Sequence, residues 1–188
     1  MNRSCMKIVA LVLVVAMMTM SLTACRKSYT TGTVEGTTYT NEWAELKIDV
    51  PSGYKMYSAK DIGGAPSGFE FGCAFAADEK VPLPLCYVLT REGEVDINAI
   101  GEDFTKQFGG ATGLMEVSQG GVTYQITISK DYYTIAGESF TSFHMSVAGA
   151  EVYCAFRDID GTGVIAICVV TMNSVKSASD VFKLFEGL

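Results

Sequence analysis

A single histidine, His144, supplies all the imidazole in 188 residues, and Trp43 is the only tryptophan. Ser-His-Asp and Cys-His catalysis both need an imidazole held beside the nucleophile. No G-x-S-x-G elbow surrounds any serine, and His144 lies in a predicted strand. A structural zinc site takes about four N or S ligands. One histidine, with no C-x-x-C and no H-E-x-x-H, makes no such set. Clusters of basic residues are missing too: 14 Lys and Arg stand against 21 Asp and Glu, for a net charge of -7. Nucleic-acid binding neutralises phosphates with grouped cations, so no nucleic-acid partner is expected. An acidic surface is also a poor match for anionic lipid heads, so membrane attachment would need an anchor. No catalytic set, metal or cofactor is expected from these counts.

Long hydrophobic runs are likewise scarce. The longest, Ile8 to Met18, has 11 residues, whereas a spanning helix needs about 18 to 20. Arg3 and Lys7 precede it, in the manner of a signal peptide. An ordinary signal peptidase cut favours small residues, and Leu22 breaks that pattern. Leu22-Thr23-Ala24-Cys25 instead resembles the bacterial lipobox at all four positions. That motif implies acylation of the Cys25 sulfur and cleavage before it, leaving residues 1-24 as a removed lipoprotein signal peptide. Two or more acyl chains hold a protein stably on a membrane, each buried methylene contributing about 0.8 kcal/mol. The expected location is extracytoplasmic: lipid-anchored on the outer face of the cytoplasmic membrane, or on an outer membrane where the host has one. The chain after residue 24 keeps 12 basic and 21 acidic side chains, a formal charge of -9.

Residues 25-41 are rich in Thr, Gly and Ser, lack an apolar period, and read as the lipidated cysteine followed by a flexible tether. Residues 42-188 read as one α+β domain. Leu46, Ile48 and Val50 alternate, and Pro51-Ser52-Gly53 turns the chain. Phe69, Phe71, Cys73 and Phe75 share one side of a strand that pairs with Leu85 to Thr90. Asp96 caps a helix whose Ile97, Ile100, Phe104 and Phe108 form one face, and Gly109-Gly110 stops it. Strands follow at Val122 to Ile128, Tyr132 to Ala136, Phe140 to Val147, Glu151 to Arg157 and Val164 to Thr171. A short helix from about Ser177 to Glu186 ends the chain. Hairpin-joined strands make an antiparallel sheet. Two amphipathic helices must then bury their apolar faces on it, which gives an α/β/α sandwich.

Tyr39-Thr40-Asn41 stands before a strand that ends Val50-Pro51-Ser52-Gly53-Tyr54, and Ile135-Ala136-Gly137 is followed by long hairpins and a terminal helix. This layout resembles the PsbP-like family, which includes the extrinsic P subunit of photosystem II and a Ran-binding nuclear import factor. The resemblance runs from about Tyr39 to Leu188. It implies a sandwich of helices on an antiparallel sheet and a non-catalytic binding or assembly role. It assigns no specific ligand, because one fold carries unrelated functions.

Three further groups stand out. Asp158, Asp160 and Thr162 at alternate positions, with Gly163 sixth, imitate the first half of an EF-hand calcium loop. The twelfth position is Val169, where that loop needs a glutamate, and an Asp/Gly hairpin turn explains the same residues. If the first hairpin turns at Asp78 to Val81, Cys73 faces Cys86. If the second centres on Gly161, Cys154 faces Cys168. Facing strand positions suit a disulfide, and buried thiols are the other reading of all four. Tyr132, Tyr133, Phe140 and Phe143 either line a ligand groove or fill the core. The function expected from all this is a lipid-anchored binding or assembly module for a protein, peptide or cell-wall component. The alternative is a cell-surface hydrolase using two carboxylates, although 21 acids single out no pair.

Overall fold

Thr, Val, Ile and aromatic side chains at alternate positions favour extended backbone along most of the chain. The computed structural model describes residues 27–66, 68–78, 83–107, 113–119, 122–147, 149–172 and 177–188, with side chains outside 104–125. Cys25 and the segment 1-24 expected as a signal peptide lie outside the described residues.

Two antiparallel sheets form. The small one comprises β1 (Thr33–Glu35), β2 (Thr38–Asn41), β3 (Leu46–Asp49) and β12 (Phe185–Gly187), in the order β1-β2-β3-β12. The large one begins with a meander of β4 (Tyr54–Ser58), β5 (Glu70–Ala77) and β6 (Leu85–Glu92). Helix α1 (Ile97–Gln107) then leads to a second meander: β7 (Gly113–Gln119), β8 (Val122–Ile135), β9 (Glu138–Val147), β10 (Ala150–Asp158) and β11 (Gly163–Met172). Strand β11 pairs with β6 and joins the meanders into the order β4-β5-β6-β11-β10-β9-β8-β7. Helix α2 (Ala178–Phe182) precedes β12.

This architecture corrects the expected α/β/α sandwich. The layer facing the large sheet is a second sheet, and the two helices among the described residues are 11 and 5 residues long. Tyr39, Leu46 and Ile48 of the small sheet share one buried cluster with Phe75, Val88, Ile165, Ile167 and Val169 of the large one. Burying a large apolar side chain contributes about 1.5–3 kcal/mol, so this interface dominates stability. On the opposite face, Leu89, Phe143, Phe156, Val164 and Ala166 form a smaller cluster, touched by Ile97 and Ile100 of α1.

Several local expectations shift as well. The segment read as a tether to residue 41 carries β1 and β2, with Tyr39 and Asn41 fully buried. The Tyr39 hydroxyl donates to Thr31 O (2.8 Å), and Asn41 Nδ2 donates to Thr30 O (3.0 Å), which pins the stretch before β1. The terminal helix starts at a capping box formed by Ser177 and Asp180 and stops at Phe182. Phe185 then pairs with Ile48 as strand. The two segments read separately at Val122 to Ile128 and Tyr132 to Ala136 are one strand, β8, which turns into β9 at Ala136 and Gly137, both at positive φ. Asp96 caps α1 as expected, its Oδ1 accepting from Asn98 N (2.8 Å) and Ala99 N (3.3 Å). The Phe104 side chain and residues 108–110 lie outside the described residues.

A bulge overturns the expected single face of β5. The register slips between Phe71 and Cys73, so Phe71 and Phe69 join the smaller cluster while Cys73 and Phe75 join the larger. One extra residue reverses the alternation beyond it. Gly72 sits at that slip, and a Cβ there would come within 2.7 Å of Thr31 O.

Candidate functional site

Strands β8, β9 and β10 place six polar or aromatic side chains on the face that the small sheet covers elsewhere. The register aligns Ser129 with His144, and His144 with Tyr153. It also aligns Ser146 with Glu151. Period-two alternation puts Asp131 on the same face, two residues from Ser129. The single histidine therefore sits among partners that come from three strands.

His144 Nε2 contacts Glu151 Oε2, and both side chains keep 22% exposure. Ser146 Oγ donates to the other Glu151 oxygen (2.8 Å). On the far side, Ser129 Oγ donates to Asp131 Oδ2 (3.1 Å) and lies 3.5 Å from His144 Nδ1. The imidazole stacks flat on Tyr153, with centroids 4.1 Å apart and planes 3° from parallel. Tyr153 meets Tyr133 edge-on at 6.3 Å, and Tyr133 reaches Phe182 at 5.0 Å. Burial, then Glu151, raises the Tyr153 hydroxyl above its ordinary value; burial, then Asp131, does the same for Tyr133. Both phenols remain neutral donors. Next to His144 on β9, the Ser142 hydroxyl is fully buried with no hydrogen-bond partner among the described residues.

The Ser129–His144–Glu151 order imitates a catalytic triad, but its geometry departs from one. The Ser129 hydroxyl has one proton, and that proton is directed to Asp131. The 3.5 Å approach to Nδ1 is beyond a normal O–H···N distance. Strand β9 is paired on both sides, so its backbone N–H groups serve the ladder rather than an oxyanion hole. What remains is a part-buried patch of carboxylate, imidazole, hydroxyl and phenol that can both donate and accept hydrogen bonds. No local signal marks it, because its members are up to 24 residues apart (Ser129 to Tyr153) and meet only through strand register.

The other candidates are placed as follows. Asp158 Oδ1 accepts from Gly161 N (2.7 Å), and the Thr162 hydroxyl donates to Ile159 O (2.6 Å), both within the β10–β11 turn. Asp160 is exposed at a φ of 52°. Among the described residues, no three His, Cys, Asp or Glu side chains are arranged to hold a metal ion. The four aromatics do not share one surface. Tyr133 and Phe140 belong to the cluster between the sheets, Phe143 to the opposite cluster, and Tyr132 is 69% exposed. Cys73 faces Val88, and Cys86 faces Phe75, so those two thiols are not opposite each other. Cys154 faces Cys168. All four are free thiols. A shallow hollow of about 350 Å³ on the small sheet is lined by Thr33, Glu35, Thr38 and Thr40. Among the described residues, no helix is long and apolar enough to cross a membrane.

No family model matches the chain, and no curated protein matches it. Among solved structures it is similar to the solution structure of cyanobacterial PsbP (CyanoP) from Synechocystis sp. PCC 6803. The identity is 14%, the match covers 86% of this chain and 98% of that one, and the TM-score is 0.52. A crystal structure from Bacteroides thetaiotaomicron VPI-5482 aligns at 12% identity over 82% of this chain and 49% of that one, with a TM-score of 0.37. The two-sheet architecture and the CyanoP match together show that this chain has a PsbP-like fold.

Proposed function

We propose that this chain is an extracytoplasmic lipoprotein, anchored by lipid on Cys25, whose domain is a non-catalytic binding or assembly module. The observation that carries the anchor is Leu22-Thr23-Ala24-Cys25 directly behind a charged start and an 11-residue apolar run. The binding surface in this reading is the His144–Glu151–Tyr153 patch, and its partner is a protein, peptide or cell-wall component offering matching hydrogen bonds. Tyr133 and Tyr153 supply aromatic surface of the kind that interfaces are enriched in, and the part-buried His144–Glu151 pair supplies the hydrogen-bonding groups that would orient a partner.

Two experiments test it. In the native host, Cys25→Ser should leave an unprocessed or released protein where the wild type fractionates with membranes and takes up labelled fatty acid. Unchanged processing and retention would overturn the anchor. Cross-linking and recovery of the anchored protein from membranes should capture a partner that a His144→Ala/Glu151→Gln variant loses. Equal capture by both would remove the patch from the proposal.

The second reading, a cell-surface hydrolase using carboxylates, draws on Asp131 and Glu151, the acids hydrogen-bonded to Ser129 and His144 respectively. Turnover of a glycoside panel by the wild type, abolished by both Asp131→Asn and Glu151→Gln, would favour it.

A further inference from the structure

Of the four cysteines in the folded domain, one pair is set for chemistry and the other is not. We propose that Cys154 and Cys168 form a cross-strand disulfide between β10 and β11, while Cys73 and Cys86 remain thiols. The observation is one of register. Cys154 lies directly opposite Cys168 in an unbroken antiparallel ladder from Ala150↔Met172 to Asp158↔Val164. Directly facing residues have Cα atoms about 4.5 or 5.5 Å apart, depending on the hydrogen-bonding position, and both values fall within the range a disulfide spans. Facing residues also project to the same side of the sheet.

Cys73 and Cys86 are displaced by two positions, since Cys86 faces Phe75 and Cys73 faces Val88. Diagonal neighbours of that kind are about 7–8 Å apart, at or beyond the limit for a bridge. Both are also fully buried in the cluster between the sheets. Cys154 and Cys168 are only part-buried and lie on the opposite face. There they continue a lateral row, with Phe143 beside Cys154 and Tyr87 beside Cys168.

The reaction is thiol–disulfide exchange with a disulfide-bearing oxidant, such as oxidised glutathione. Hydrogen bonding to Cys154, and then burial, push the Cys168 thiol up, so Cys168 is the second thiol to react. The Cys154 sulfur loses its proton to solvent and attacks the oxidant, giving a mixed disulfide and one released thiol. Cys168 then loses its proton to solvent and attacks the Cys154 sulfur, expelling the second oxidant thiol. Two protein thiols are oxidised and one oxidant disulfide is reduced.

Trypsin separates the four cysteines, because Lys60, Lys80, Arg91, Lys130, Arg157 and Lys176 put each on its own peptide. The full chain in detergent is incubated with oxidised glutathione, alkylated while native, digested and analysed by mass spectrometry. The expected product joins Asp131–Arg157 to Asp158–Lys176 and is lighter by two hydrogens than the separate peptides. Cys73 and Cys86 should be recovered as thiols after denaturation. Oxidation should raise Tm by about 5–10 °C. Cys154→Ser should lose both the link and the shift, and Cys73→Ala should keep both. Absence of the link in folded wild type, a Cys73–Cys86 link in its place, or a shift that survives Cys154→Ser would each overturn the assignment.

Discussion

The indole N–H of Trp43 donates to the Thr162 hydroxyl across 119 residues of chain, at 3.0 Å. Through this bond the loop between β2 and β3 is held to the β10–β11 turn. Tyr29 closes the other side of the indole edge-on at 5.0 Å, and its own hydroxyl reaches Thr90 Oγ1 at 3.1 Å. A Cβ at Gly163 would collide with the Arg91 carbonyl oxygen and lie 2.8 Å from the indole Cζ2, so only glycine fits at that point. Thr162→Val should cost about 1–2 kcal/mol, because the part-buried N–H loses its acceptor. Trp43→Ala should cost about 3–5 kcal/mol. Urea unfolding followed by circular dichroism reads both.

Gly101 behaves against its helix propensity. Alanine in a helix interior ordinarily gains about 1 kcal/mol over glycine. Here a Cβ would collide with the Phe143 ring. Gly101→Ala should therefore destabilise by about 1–3 kcal/mol, the range for overpacking. Adding Phe143→Leu should recover part of the loss, and a double-mutant cycle on thermal melts measures the coupling.

Tyr39 should govern part of the alkaline limit. Burial raises its hydroxyl far above the ordinary value, as the neutral group donates to Thr31 O and accepts from Asn41. A group raised in the folded state contributes stability that is complete below its unfolded pKa of about 10 and lost as pH climbs above it. Between pH 9 and 11 the wild type should lose about 1.4 kcal/mol through Tyr39 alone. Tyr39→Phe should start lower at pH 7, by about 1 kcal/mol, and fall less steeply over that interval. The buried Cys73 and Cys86 thiols, also raised by burial, add a loss of the same sign in both proteins. Chemical denaturation at several alkaline pH values separates the two slopes.

The Asp158 turn should be insensitive to calcium. The Asp158 carboxylate and the Thr162 hydroxyl already serve the turn itself. Millimolar calcium should leave the thermal midpoint unchanged, and a rise would indicate a bound ion. Asp158→Ala should cost about 1 kcal/mol with or without calcium, through the lost bond from Gly161 N.

Much of the strand content was legible because period-two alternation is a local signal. Leu46, Ile48 and Val50 are buried as their spacing predicted. Asp96 was readable as a cap because capping involves residues within one turn of helix. The facing of Cys154 and Cys168 followed from a glycine-centred turn and simple counting. The first hairpin defeated the same counting, because its register differs by two residues from the loop assumed.

By itself, the sequence determined the period of most strands, the Asp96 cap, and the order of a charged start, an apolar run and Leu22-Thr23-Ala24-Cys25 near its beginning. Each of these is set by residues within a few positions of one another. Only the tertiary structure decided that the second layer is a sheet, that β5 changes face at Gly72, and that His144 meets Ser129 and Glu151. The physical reason is that alternation shows a strand has two faces and leaves open what covers either one. That outcome belongs to long-range pairing, and one bulge or a two-residue shift in register is enough to reassign every side chain beyond it.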